Sequence, residues 1–190
     1  MSNRKSRIAS LALLMAMSLG LFAGCSQNGG SDGSDGSNDG GTKDSIIIAT
    51  ANETPSLSPT EHNAVAGSYM NLLTYNTLFK SDMEMNPVPD LVEDYQNVSE
   101  SEWEFTIKTG VKFHDGSEMT VEDVKASLEW AKPFPEVSLY NGDFVSVDIV
   151  DDDTIKITPP GPDAMLLNNL CHHGNAIVPK ALIDSGHDFN

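Results

Sequence analysis

The chain has 190 residues, enough for one folded core, and its 11 basic residues against 28 acidic ones leave a formal charge of −17 at neutral pH. Such a surface repels nucleic acid and anionic lipid headgroups, which excludes both as electrostatic partners. The two cysteines, Cys25 and Cys171, are too few for a disulfide-built scaffold, so stability has to come from an ordinary core.

Arg4, Lys5 and Arg7 open the chain, and an apolar run from Ile8 to Ala23 follows. At about 16 residues it falls short of the ~20 that span a bilayer as a helix. A basic start before a run of this length predicts a secretory signal over residues 1–24. Its end, Leu21-Phe22-Ala23-Gly24-Cys25, resembles a bacterial lipobox, with Phe22 where Leu is more usual. Cys25 is therefore the expected lipid-attachment residue. Acyl chains contribute ~0.8 kcal/mol per buried methylene, so two or three would hold the protein on the outer face of a membrane. From Cys25 onward the chain carries eight lysines and no arginine against 28 acids, a charge of −20. Lacking the planar guanidinium fork, it must meet any ligand carboxylate with Lys, backbone or a group outside this chain.

Residues 25–44 read as a flexible Gly/Ser/Asp linker. Between Ser26 and Asp44 there is no apolar side chain, so nothing offsets the entropy of ordering it. Asp32, Asp35 and Asp39 lack the alternate spacing and distal Glu of an EF-hand loop.

A folded region is expected over 45–190. Residues 46–51, Ile-Ile-Ile-Ala-Thr-Ala, predict a strand buried on both faces. Pro55 and Pro59 force a loop, and a helix is expected over 64–79 with Ala66, Met70, Leu73 and Thr77 on its buried face. Asn86-Pro87 predicts a turn, while Leu91 to Tyr95 fits either a strand or a helical turn. Trp103 to Lys108 alternates apolar and polar residues, the period of a half-buried strand. Asp115-Gly116 signals a turn. Thr120 with Asp123 three residues on predicts the cap of a helix over 121–131, which Pro133 and Pro135 end. Strands are expected over 144–150 and 154–157, around a solvated Asp151-Asp152-Asp153 turn, then a helix over 164–170 and a last helical turn from Ile177 to Ile183.

Several of these segments resemble solute-binding protein family 5, the oligopeptide, dipeptide and nickel receptors of ABC importers. WEFTIKTGVKFHDGSEMTVEDVKASLEW (residues 103–130) resembles the family's aromatic hairpin, Phe-x-Asp-Gly turn and capped helix. The strand at 46–51 with PSLSP after it, NPVPDLVEDY, DDDTIKIT and AIVPKALI resemble further family segments, together covering 45–190. Ser58 stands where the family usually has Asp. The resemblance implies an α/β fold of mixed strands and helices: the N-terminal lobe of a two-lobed, periplasmic-binding-protein-like clamp. Family members are more than twice as long, so residues 45–190 are expected to be a partial, truncated solute-binding domain, lobe one.

By the same resemblance, peptide-type solutes are met by the extended segment Asn63, Ala64 and Val65 and by the aromatic Tyr140. The bland alternatives are that Asn63 only caps the helix at Ala64 and that Tyr140 packs on its own loop. The implied activity is capture of peptides or a related small solute and delivery to ABC permease subunits. The implied protein is extracytoplasmic, monomeric and lipid-anchored. No catalysis, cofactor or nucleic acid is expected: the chain lacks a GxSxG elbow, an HExxH helix and a phosphate-cradling Gly loop. Cys171-His172-His173, with His62 or His114, is the one metal-like group. Adjacent histidines on an extended chain point apart, so no metal site is expected. A surface adhesin or sensor lipoprotein without a transport role is the rival reading, since signal and tether would be the same.

Overall fold

The computed structural model describes residues 45–140, 144 and 146–190. The expected signal, Cys25 and the linker lie outside them. Residues Ile47–Asn190 form a compact unit.

The capping signal at Thr120 is met at the residue. Helix α2 (Val121–Ala131) starts there, with the Thr120 backbone N–H and hydroxyl both donating to Asp123 Oδ2 at 2.8 Å. Its Val121, Val124 and Leu128 face the core, as their i, i+3, i+7 spacing requires. They pack on one face of an antiparallel sheet of four strands in the order β3-β4-β6-β5: β3 (Val92–Ser99), β4 (Glu102–Ile107), β5 (Ser146–Ile149) and β6 (Thr154–Thr158). The alternation of Phe105 and Ile107, Ile155 and Ile157 puts all four on that buried face. The three alternating segments around 103–108, 144–150 and 154–157 thus share one sheet, the first displaced by one residue, the second shorter and the third one residue longer than expected.

The ambiguity at Leu91 to Tyr95 has a structural cause. Val92 pairs with Ile107 and Tyr95 with Phe105, so β3 carries one residue more than β4 between them. This bulge places Val92 and Tyr95, three residues apart, on the same face, which mimics helical spacing in the sequence.

Two expectations fail. The run at 46–51 is not a strand: Ile46, Ile47 and Ile48 are 84%, 94% and 61% exposed, and no described strand pairs with them. A β-branched run without a hydrogen-bonding neighbour has nothing to hold it extended, and the ribbon and α2 pack without it. The helix at 64–79 is shorter, α1 (Val65–Thr74), and buries Ala66, Gly67 and Asn71 while Met70 and Leu73 face outward. Beyond Tyr75 tertiary pairing overrides helical spacing. Leu91 N–H donates to Thr77 O and Ile177 N–H to Asn76 O, and Leu78 and Phe79 turn into the sheet core. Phe79 begins a two-stranded hairpin, β1 (Phe79–Ser81) with β2 (Pro87–Pro89). Its turn precedes Asn86-Pro87: Asp82 accepts the N–H groups of Glu84 and Asn86, and Met85 takes a positive φ of 66°.

The C-terminal part closes the core with α3 (Leu166–Asn169), a single 3-10 turn (His173–Asn175) and α4 (Lys180–Asp184). Buried Ser127 ties this part to α2: it accepts Val178 N–H at 2.9 Å. Lys180 N–H donates to Asp123 Oδ1 at 2.7 Å.

Candidate functional site

The residues expected to meet solute are Asn63, Ala64, Val65 and Tyr140. The fold places the first three at the entry of α1 and the fourth after α2, and one residue from a third segment joins them. His172 Nε2 lies 3.3 Å from Asn63 Oδ1, and the Tyr140 ring stacks on the His172 ring at 3.9 Å between centroids and 6° between planes. Asn63 does not cap α1. The cap position is Ala64, whose N–H donates to His62 Nδ1 at 3.3 Å. The Tyr140 ring lies on His172, and its carbonyl accepts from Asn175 Nδ2 at 3.0 Å. Val65 is exposed at the start of the helix, with its side chain outside this group.

Beneath His172 the interior is polar. His62, Asn71, His173 and Asn175 are all buried. The side-chain amide of Asn71 lies 3.2 Å from His62 Nε2 and 3.4 Å from His173 Nδ1. His173 Nδ1 lies 3.0 Å from Pro59 O. The adjacent rings of His172 and His173 do not diverge as an extended dipeptide would. His172 is extended, but His173 begins the 3-10 turn, which brings the two centroids to 4.2 Å. His62 completes the row at 5.3 Å from His173. Among the described residues no group of three or more His, Cys, Asp or Glu is placed to hold a metal ion.

An imidazole taken out of water resists protonation, since burying the charged form is costly, and His172 and His173 both show it. Burial, then the neighbouring His173 and His62, push the His172 pKa down to about 4. Burial lowers that of His173 as well. The thiol of Cys171, buried beside this row, is pushed up by burial and donates to Leu167 O.

Gly67 makes the row possible. A Cβ there would sit 2.2 Å from His62 Cε1, so the imidazole occupies the space a side chain would take. The sequence carries a signal for these partners, Gly and Asn at the first and fifth of five positions on one helix flank, but helical spacing of Met70 and Leu73 masks it. Ser58, where Asp is usual, lies buried in the same wall with its hydroxyl 3.4 Å from that of Thr60.

A separate apolar cavity of about 300 Å³ lies between Val111, Phe113 and Met119 on one side and Leu182 and Phe189 on the other. None of the residues lining it belongs to the imidazole row or to the Asn63–His172–Tyr140 group.

Residues 86–189, more than half the chain, match the family described as bacterial extracellular solute-binding proteins, family 5 Middle. The chain belongs to family 5 of the bacterial extracellular solute-binding proteins. It is 31% identical over 150 residues to the glutathione-binding protein GsiB of Salmonella typhimurium, a match covering 76% of this chain and 29% of that protein. Against GsiB of Pectobacterium atrosepticum the identity is 33%, with 75% and 29% covered. Among solved structures it is similar to AgaA in complex with agropinic acid, with a TM-score of 0.65, 25% identity, and 73% and 29% of the two chains covered. It is likewise similar to NikZ of Campylobacter jejuni in complex with Ni(L-His), with a TM-score of 0.64, 27% identity, and 75% and 29% covered. This family 5 chain therefore has the mixed α/β fold of these receptors over the part they share, and it spans about 29% of the length of the curated relatives it matches. Those relatives are named as binding proteins, not enzymes.

Proposed function

We propose that this chain supplies one wall of the solute pocket of an extracytoplasmic receptor that captures a peptide or related small solute and passes it to an ABC permease. Residues 45–190 would form part of lobe one of a two-lobed clamp, carried on the linker at 25–44 and held to the membrane by lipid on Cys25 after removal of residues 1–24. The observation that carries this reading is the convergence of Asn63 and Tyr140 on His172. An amide and two stacked rings form a small polar-aromatic surface, the type of lining that orients a ligand in a pocket. Ala64 and Val65 beside it offer backbone groups to an extended ligand. The likeness to glutathione-binding relatives favours short peptides and peptide-like solutes as the class.

The test is residue-resolved NMR on the chain at millimolar glutathione, tripeptides and a nickel–histidine chelate. One wall of a cleft binds weakly, since contacts from the other wall are missing. Small, saturable shifts at Asn63, Ala64, Tyr140 and His172 are expected with at least one probe. Shifts confined to other surfaces, or none with any probe, would remove the assignment. The anchor is tested separately by labelling cells with radioactive palmitate: incorporation is expected in the native chain and lost in Cys25→Ser.

A further inference from the structure

The hydrogen bonds of His172 and His173 decide where their protons sit. His172 Nδ1 receives the Gly174 N–H at 3.0 Å, so that nitrogen holds the lone pair and the proton is on Nε2. The Nε2–H then points to Asn63 Oδ1. His173 is the reverse. Its Nδ1 faces the Pro59 carbonyl, which only accepts, so the proton is on Nδ1 and the buried Nε2 is left as an acceptor with no protein partner.

We propose that His172 is a positioning residue: a neutral imidazole protonated on Nε2 that fixes Asn63 from the loop before α1 against Tyr140 from the loop after α2, and that releases both when it takes a second proton. This rests on the reading of Asn63 and Tyr140 as solute-facing. The second proton can enter only at Nδ1, where the Gly174 N–H already points. Two donors then face each other, the Gly174 bond is lost and the ring turns away. The Tyr140 face attracts a cation and works against release. Opposing it are burial and two further imidazoles, His173 on the same turn and His62 from the loop before α1. Among the described residues no carboxylate bonds to any of the three rings. Glu61, next to His62, instead accepts from Ser56 Oγ and Asn190 Nδ2. The His172 pKa of about 4 agrees with this balance. The folded pKa lies below the ordinary histidine value, so the positioning holds at neutral pH and is lost as pH falls through about 4.

The test needs no solute, so its failure is distinct from failure of the proposed function. Long-range ¹H–¹⁵N spectra of the chain at pH 7 are expected to show Nε2–H for His172 and Nδ1–H for His173. On titration to pH 3.5, the Asn63 side-chain amide and the Tyr140 ring protons are expected to shift together with a midpoint near 4, while the core methyls of Val147 and Ile155 hold. In His172→Gln, whose amide N–H reaches Asn63 but does not titrate, the step at Asn63 is expected to vanish with its pH 7 position kept. His172→Phe, which keeps the ring stack alone, is expected to free Asn63 at every pH. The proposal is overturned by an Nδ1–H tautomer at His172, by a midpoint above 6, by an Asn63 step that persists in His172→Gln, or by simultaneous loss of the core methyls in native and variant proteins.

Discussion

Between the four-stranded sheet and α2 the chain packs Phe105, Ile155, Val124 and Leu128, while between α1 and the 3-10 turn it packs His62, Asn71, His173 and Asn175. The first interior is held by non-directional burial, in which any side chain of the right size and rotamer serves. The second is held by hydrogen bonds that fix atoms, and each further partner lost there is costly, because His173 Nε2 and Asn175 Oδ1 already lie buried without one. The contrast has a functional meaning. The apolar interior sets the scaffold, and the polar one sets the positions of the three side chains that reach the surface above it.

The largest effect should come from the apolar side. Phe105 is fully buried and packs edge-on against Phe79 at 5.9 Å between centroids. Phe105→Ala is expected to cost ~3–5 kcal/mol in urea unfolding, by lost burial and a cavity. Phe105→Leu, closer in volume, should cost well under half of that; equal costs for the two would deny the tolerance claimed for this interior.

A sign reversal distinguishes the polar side. Alanine in place of glycine within a helix normally adds ~1 kcal/mol of stability. Gly67→Ala is instead expected to destabilise by ~1–3 kcal/mol, since its methyl would displace the buried His62 ring. The Asn63 and Tyr140 signals should move in the same variant. A stabilised Gly67→Ala chain would show that His62 is not seated on α1. The smallest effect belongs to the surface. Lys80 pairs with Asp90 at 3.4 Å, but its side chain is 60% exposed. Lys80→Ala should change stability by less than ~1 kcal/mol and leave both interiors untouched.

The two regions also differ in how far the sequence shows them. The alternation of β4 and β6 and the cap at Thr120 are local signals, each carried by fewer than a dozen neighbouring residues, and they place those two strands and α2 nearly to the residue. The run at 46–51 misleads because β-branched composition is only half of a strand; the other half is a partner, which the sequence does not name. The helix expected to reach Phe79 misleads because Leu78 and Phe79 suit a helix face and a sheet core equally. At the candidate site, resemblance alone points to Asn63 and Tyr140, and nothing in the sequence points to their meeting at His172. His172 lies 109 residues from Asn63 in the chain, and no local pattern spans that distance. Asn71 was hidden inside an apolar helix, where a lone amide looks like a surface residue.

That separation along the chain also sets an order of events. The β3–β4 ribbon closes within sixteen consecutive positions, 92–107, and α2 follows directly. The contacts of His173 with Asn71 and with Pro59 bridge 102 and 114 residues. Loop closure over such spans costs more entropy and is repaid only once both ends are in place. During refolding the ribbon should therefore acquire amide protection first and the imidazole row last, so the surface formed by Asn63, Tyr140 and His172 is the final part of the chain to mature.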